Sequence, residues 1–558
     1  MRKIIDYIST HKHLFIAAVV FFLLRLVFLD QLFLLHDERD IVLSGYSIAK
    51  TGHDLFGNFL PISFAGISPD NPLVSIYYSA LWWLVLPMKN VFFARLPFVI
   101  ISSLLTFLVY EIVMRIVDNK RLAFITALIF CFSPWVFHVT RLAMDLSLAA
   151  VTILAAILYY LKGRRWVSYF LFFLTFYNYQ GFRVAIPFLI VYLEFIRVGA
   201  EISHYVRDDK GSAQDDRRVW DDIKIFIRRN IINVLFIVFL FASISFIDKA
   251  VTTKRFSQVV FLSPERFTAE VNLRREASNV PLLIRDIFHN KISVAADYVV
   301  DNFVKGQDIS YLFKTGDYSP INGNAVGGQF FFVGLLFYYL GIMALGNRLN
   351  RKDFFLIGFI FLGLLPAMAS VNSSTYSIRG FLSALGYAYV LALGVDFGIT
   401  LSKKLLPKPR HALYAILFIA VGINVVYFTY NYYERRQVTV GELFNESEKV
   451  ASNYLLSRPE DQITVYHHAP KNVYLSYIFV DNANKAPMME QESDTYRINN
   501  VVFMKCPLVL DYTDMYSSLV SETCINLKTY EQLNKIVSSD RKIMYKDLSL
   551  KTAYFIFE

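Results

Sequence analysis

Charge is what this chain has least of. Only 18% of its 558 residues are Asp, Glu, Lys or Arg, where soluble domains carry about 25%. The hydrophobic share is 55% and the mean hydropathy +0.41. The deficit falls in apolar blocks of about 18–25 residues, the length that spans a bilayer, and that excludes a soluble globular protein. Cysteine is scarce too. Three in the whole chain rule out a disulfide scaffold. Cys131 lies in an apolar block, whereas Cys506 and Cys524 are free to pair if their segment faces an oxidising compartment. Also missing are internal repeats, low-complexity tracts, a Walker loop, zinc-ligand spacing and a serine-nucleophile motif. The net charge of +10 does not imply nucleic acid, because most Lys and Arg sit in short loops between apolar blocks.

What is there is a run of apolar blocks at 13–35, 92–116, 122–139, 146–161, 166–177, 184–197, 230–247, 329–346, 354–370, 380–399 and 411–429. The first is followed by acids rather than a small-residue cleavage site, so it reads as an uncleaved span. A further run, "PLVSIYYSALWWLVLPM", is short and rich in Tyr and Trp, which suits a helix lying in the interface. Parity supports that choice. If this run does not cross, the basic loops "DNKR", "KGRRW", 197–229, "GNRLNRK" and "SKKLLPKPR" all share the side of the N-terminus, as the positive-inside bias requires. The expectation is therefore a polytopic α-helical cell-membrane protein of about eleven transmembrane helices, N-terminus cytoplasmic, with a membrane domain over 1–429. Its large outer loops are 36–91 and 248–328, and residues 430–558 form a small extracytoplasmic α/β domain. In that tail, 441–458 has a helical period, and "ITVYHH", "NVYLSYIFV", "NNVVFMKC" and "AYFIFE" read as strands. The inner loop "RDDKGSAQDDRRVWDD" reads as a solvated linker.

On this topology each short outer loop carries one arginine: Arg141 in "FHVTRLAMDLS", Arg183 in "YNYQGFRVAIP" and Arg379 in "NSSTYSIRGFL". A single one reads as a snorkelling anchor. Three together, beside His138, Tyr179 and Gln180, fit an anion site, because the planar guanidinium makes paired charge-assisted bonds to phosphate. Acids face the same side. Asp37 and Glu38 follow the first span, Asp70 precedes the interfacial helix, and Asp145 lies four residues after Arg141, where a helix would let the two pair. Asp40 reads as a solvated cap. Asp37 sits at the membrane boundary before an amphipathic segment, the setting of a half-desolvated general base.

At these residues the chain resembles the lipid-linked-sugar glycosyltransferases of the GT-C fold. It is similar to the bacterial branch related to protein O-mannosyltransferases and the aminoarabinose transferases of lipid A. The resemblance rests on "HDERDIVLSGYSIAKTGHDL", "NPLVSIYYSALWWL", "FFARLPFVIISSLLTFLVYEI", "SPWVFHVTRLAMDLSLA" and "YLFKTGDYSP", over about 13–200 closely and 300–400 loosely. It implies Asp37 as the base with Glu38 in reserve, Asp145 as a second outer acid, and Arg183 and Arg379 on the carrier phosphate. Many relatives carry Glu-Lys-Pro before the second interfacial helix, with a Glu that binds a metal or substrate. Here "SPDNPL" stands instead, with Asp70 and Asn71, so no metal ligand is assigned and a divalent metal stays an open expectation. The implied reaction moves a sugar from a polyprenyl-phosphate donor to an acceptor hydroxyl on a lipid, polysaccharide or protein, with membrane lipids as surroundings and no nucleic acid. The alternative is a transporter or flippase of a lipid-linked glycan. Such a protein places charges at the bilayer midplane, and the span centres here are nearly free of charge.

Overall fold

The computed structural model describes residues 11–64, 72–208, 216–247, 264–321, 327–348, 350–370, 377–405, 409–482, 493–507, 517–546 and 550–557. Asp70, part of the inner polar loop and the start of the second large outer loop lie outside the described residues. Among the described residues, helices at Val91–Val117, Asn230–Ile247, Ser383–Leu405 and Arg410–Val440 are long and apolar enough to cross a membrane. Shorter apolar helices lie at Asp145–Leu161 and Gly334–Asn347. The chain is a membrane protein.

Several apolar blocks are broken in ways their composition hides. The first block is helical only over Lys12–Leu26, and residues 27–35 leave the helix while still apolar. The block at 122–139 splits at Ser133-Pro134, because proline cannot continue the helix from Lys120–Phe132. Ser133 caps the short Pro134–Val139 helix, its Oγ accepting from Val136 N at 3.2 Å. Arg165–Asn178 and Gly181–Asp208 are separated at Tyr179-Gln180.

The first outer loop folds as two packed helices, His36–Thr51 and Leu73–Trp83. The first stops at Gly52, whose φ of 75° is the left-handed conformation glycine adopts without strain. The second has 11 residues, about 16 Å of rise, too short to cross a hydrocarbon core of about 30 Å. They meet where Gly45 faces Ser79. A Cβ on Gly45 would lie 2.8 Å from Ser79 Cβ, and Tyr46 stands edge-on to Trp83 at 5.7 Å. Gly45→Ala is expected to cost about 1–3 kcal/mol through this overlap, read as a lower unfolding temperature of the detergent-solubilised protein. An unchanged temperature would mean that the two helices separate freely.

Beyond the Arg410–Tyr430 helix the chain builds a six-stranded sheet with strands β1 (Ile463–His467), β2 (Thr495–Ile498), β3 (Val501–Lys505), β4 (Ser518–Ser521), β5 (Lys542–Lys546) and β6 (Leu550–Phe557), in the order β2-β3-β1-β4-β6-β5. β1 runs parallel to both β3 and β4, while β2, β5 and β6 pair antiparallel. "NVYLSYIFV" is not a strand: Pro470–Val480 is a buried helix with proline in its first turn. A short apolar run is ambiguous by period alone, and the parallel β1–β3 pair needs a crossover, which this helix supplies. The helix expected over 441–458 begins only at Glu446. Cys506 and Cys524 are joined in a disulfide that links the end of β3 to the turn after β4. Removing it is expected to cost about 3 kcal/mol, which Cys506→Ser tests by unfolding. No loss of stability would mean that the fold does not use the crosslink.

Candidate functional site

The helix His36–Thr51 divides its first residues between two faces. His36 and Asp37 are exposed, and Glu38, Arg39 and Asp40 are buried. Glu38 is used completely. It accepts from Leu35 N at 3.1 Å, closing the helix start, from Ala143 N at 2.8 Å, and from Arg95 Nε and Nη2 at 2.8 and 2.7 Å. Arg95 spends its remaining donors on the carbonyls of Leu29 and Leu32, both 2.8 Å, and Phe33, 2.7 Å. All five guanidinium N–H groups are thus engaged. This one side chain ties down three carbonyls of the non-helical stretch that follows Leu26. Asp40 differs from the solvated cap the sequence suggested. It is buried against Arg39 at 3.3 Å, and burial raises its pKa against the pull of that arginine. Its position follows from the packing of the whole helix face against the sheet domain, which the local sequence does not reveal.

The acids and arginines converge through the 139–145 turn. Arg141 and Asp145 do not share a helix, because residues 140–144 form turns and the next helix starts at Asp145 itself. Arg141 donates from Nε to Arg25 O at 2.9 Å and from Nη2 to Val27 O. Its guanidinium lies over the rings of Tyr433 and Tyr432 at 5.1 and 5.5 Å. Those tyrosines, with Arg436 behind them, are aimed inward by a π-helical turn at Asn431–Arg435, a device common at functional sites. His138 is buried, with Nδ1 at 3.0 Å from Tyr432 Oη and Nε2 at 3.1 Å from Ile321 O. Arg436 Nη2 approaches the same Nε2 at 3.3 Å.

A narrow crevice of about 20 Å³ lies between Phe28, Gln31, Arg95, Arg141, Tyr432 and Arg436. Three arginines face it against one buried carboxylate, Glu38, and Arg436 Nε is buried without a hydrogen-bond partner. Deeper in, Arg25 is also fully buried. Its acceptors are all neutral, including Ser102 Oγ at 2.5 Å, Ser103 Oγ at 2.7 Å and Thr140 Oγ1 at 2.9 Å. Unbalanced buried cations are costly, so the excess positive charge makes the crevice receptive to an anion.

Asp145, Tyr179, Gln180, Arg183 and Arg379 do not line this crevice. Asp145 begins its helix with Oδ1 accepting from Leu146 N at 2.7 Å. Its backbone carbonyl accepts from Asn178 Nδ2 at 2.7 Å, and Asn178 Oδ1 accepts from Ser75 N at 2.8 Å. That bridge brings the interfacial helix and the 179–183 segment to Asp145. Tyr179 is buried and Gln180 partly so. Arg183 is buried with Nε on Phe176 O at 3.0 Å. Arg379 bonds Ser370 Oγ and lies within the field of Asp317, a buried acid to which the sequence reading gave no role. Arg25, Arg95 and Arg436 were missed as well. The signals were a lone arginine inside an apolar block and an "ARLP" motif quoted without a function for its arginine.

Asp317 accepts from Ser377 N and Oγ at 2.5 and 2.7 Å and from Ser319 N at 2.8 Å. Burial nevertheless lifts its pKa from 3.8 to about 6. Between those values the folded protein keeps a proton that the unfolded chain has lost. Stability therefore falls as pH rises from about 4 to about 6 and is level above that, by about 3 kcal/mol for this group. Asp317→Asn is expected to flatten this part of the profile relative to wild type, measured by thermal unfolding across that range. An identical profile would show that Asp317 does not titrate there.

Among the described residues, no three His, Cys, Asp or Glu side chains come together as metal ligands.

The fold and site thus describe a helical membrane protein with an anion-receptive crevice beside residues 28–32 and an α/β unit after the Arg410–Tyr430 helix. No family model and no curated protein matches the chain. Among solved structures it is similar to the oligosaccharyltransferase AglB of Archaeoglobus fulgidus in complex with an inhibitory peptide and a dolichol-phosphate, with TM-score 0.41 and 11% identity over 86% of this chain and 65% of that one. The apo form of the A. fulgidus enzyme gives TM-score 0.39 and 11% identity over 87% and 61%. The form tethered to an acceptor peptide gives 0.41 and 12% over 87% and 64%. The chain spans less than two thirds of the length of these proteins.

Proposed function

We propose that the protein is an inverting glycosyltransferase acting on the outer face of the membrane, with a polyprenyl-phosphate sugar as donor and an acceptor hydroxyl on a lipid, polysaccharide or protein. Asp37 takes the proton of the acceptor hydroxyl as its oxygen bonds to the anomeric carbon. The bond from that carbon to the phosphate oxygen breaks, and the electron pair leaves with polyprenyl phosphate. A phosphate leaving group needs no paired acid of the kind used in glycoside hydrolysis. It needs fixed positive charge where its own charge develops.

The observation that carries this reading is the crevice where Arg141, Arg436 and Gln31 face an opening made electropositive by Arg95, whose carboxylate partner Glu38 is the chain neighbour of Asp37. Arg95 has no N–H left for a ligand and acts through its field, so direct bonds fall to Arg141 and Arg436. His138 orients Arg436. Glu38, fully hydrogen-bonded, holds the architecture and leaves Asp37 as the base. Asp145 is the second acid of the site, with Asp70 a further candidate toward the sugar. Arg183 and Arg379, with Tyr179 and Gln180, give the carrier further contacts along its approach.

Titration with polyprenyl phosphate tests the arginines. Arg436→Gln and Arg379→Ala are each expected to weaken binding about 10- to 100-fold, the worth of a charge-assisted bond. Unchanged affinity would leave these arginines a purely structural role.

A further inference from the structure

The α/β domain has a polar groove of its own, of about 200 Å³, lined by His36, Glu442, Asn445, Ser447, Glu448, His467, Asn472, Ser521, Glu522, Thr523 and Ala553. One wall is the carboxyl ends of β1 and β4, at His467 and Ser521. β1 lies between two parallel neighbours, and in open sheets with parallel strands the crevice beyond their carboxyl ends is where ligands bind. The other wall is the start of the His36–Thr51 helix and the Glu442–Glu448 segment.

Both walls are fixed. Asn445 Nδ2 donates to Leu34 O at 2.7 Å, and Glu446 Oε1 accepts from Phe33 N at 2.6 Å. Arg39 holds Asn472 through its carbonyl at 2.9 Å. Lys551 spans the groove, at 3.0 Å from Glu522 and 3.4 Å from Glu442. The Cys506–Cys524 disulfide anchors the turn that carries Thr523.

The lining selects its ligand. Ala553 is the single apolar side chain on it and no aromatic ring faces it, which disfavours an acyl chain or an apolar peptide side chain. Three glutamates line it against two flanking cations, Lys551 and Arg39, the second already paired with Asp40, which disfavours phosphate. His467 is neutral, because burial lowers its pKa to about 4. Its Nδ1 accepts from Ala469 N at 2.9 Å, so its proton sits on Nε2 as a donor. Carboxylates, amides, hydroxyls and a neutral imidazole together match a ligand that is itself dense in hydroxyl groups.

We propose that this groove binds the acceptor and that the acceptor is an uncharged glycan, held between the sheet domain and the helix that carries Asp37. The inference rests on the transferase reading and adds to it a division of labour. The crevice at Leu29, Leu32 and Phe444 is basic and takes the carrier phosphate, and the groove at His36, Glu442 and Asn445 is acidic and takes the sugar acceptor. His36, next to Asp37, then lies on the acceptor's path.

The test uses full-length protein, a polyprenyl-phosphate sugar donor and three probes: a neutral tagged trisaccharide, the same trisaccharide bearing a phosphate monoester, and a serine- and threonine-containing peptide. Thr523→Trp and Ser447→Trp fill the groove from opposite walls, so one carries the test if the other fails to fold. Each is expected to raise KM for the neutral trisaccharide about tenfold or more with a smaller effect on kcat, the mark of lost ground-state binding. Unchanged KM in a folded variant overturns the proposal, as does equal or better transfer to the phosphorylated trisaccharide or the peptide. If wild-type protein consumes no donor, the transferase reading fails separately. The groove is then judged by saturation-transfer NMR with the neutral trisaccharide, where a signal in wild type lost in Thr523→Trp supports it and no difference overturns it.

Discussion

Asp37→Asn is expected to lower sugar transfer by about 10²- to 10⁴-fold, the usual worth of a positioned general base, while leaving the fold and donor binding as they are. The side chain is exposed at the first turn of its helix, so an isosteric amide there costs little stability. The adjacent carboxylate cannot substitute. Glu38 accepts four hydrogen bonds, and turning it outward would strand Arg95. Initial rates of transfer beside donor affinity separate the effects. Full transfer by the variant would remove Asp37 from the mechanism, and loss of donor binding in proportion to rate would make it a binding residue instead.

Arg95→Ala is the other large effect, and it falls on folding. Removing one partner of a buried ion pair costs about 3–5 kcal/mol, because the remaining charge is left unpaired in a poor solvent. Here the loss also frees the carbonyls of Leu29, Leu32 and Phe33, each a buried acceptor worth about 1 kcal/mol or more if left unmet. Arg95→Lys should rescue little, since an ammonium cannot reproduce a planar fork with five directed donors. Glu38→Ala should be similarly severe, and the double variant should cost much less than the sum of the two. Denaturant or thermal unfolding in detergent reads all four proteins. A loss below about 1 kcal/mol for Arg95→Ala would mean that the 27–35 segment is held by something else.

The apolar blocks and the amphipathic helix from His36 were legible because period, hydropathy and charge are written locally. The short helix Leu73–Trp83 was legible from the prolines that bound its apolar run. What could not be read is non-local. Residues 27–35 look like the end of a span, and the groups that hold them out of the helix, Arg95, Arg141, Asn445 and Glu446, all lie more than sixty positions on. Pro470–Val480 has the composition of a strand, and its helix follows from β1 and β3 being parallel. Arg436 reads as a basic flank until the π turn at Asn431–Arg435 swings it against His138. The groove at His36 and His467 joins residues 431 positions apart and carries no motif.

The measurement that bears most directly on the central claim is a product balance. Full-length protein in sealed vesicles of defined orientation is given polyprenyl phosphate carrying a labelled sugar, together with an acceptor, and released polyprenyl phosphate is compared with sugar transferred. The expected result is equal amounts of the two, formed only where the donor meets the face that carries Asp37. Labelled donor that crosses between leaflets intact, with no polyprenyl phosphate released, would contradict the transferase and make the chain a transporter of lipid-linked glycans.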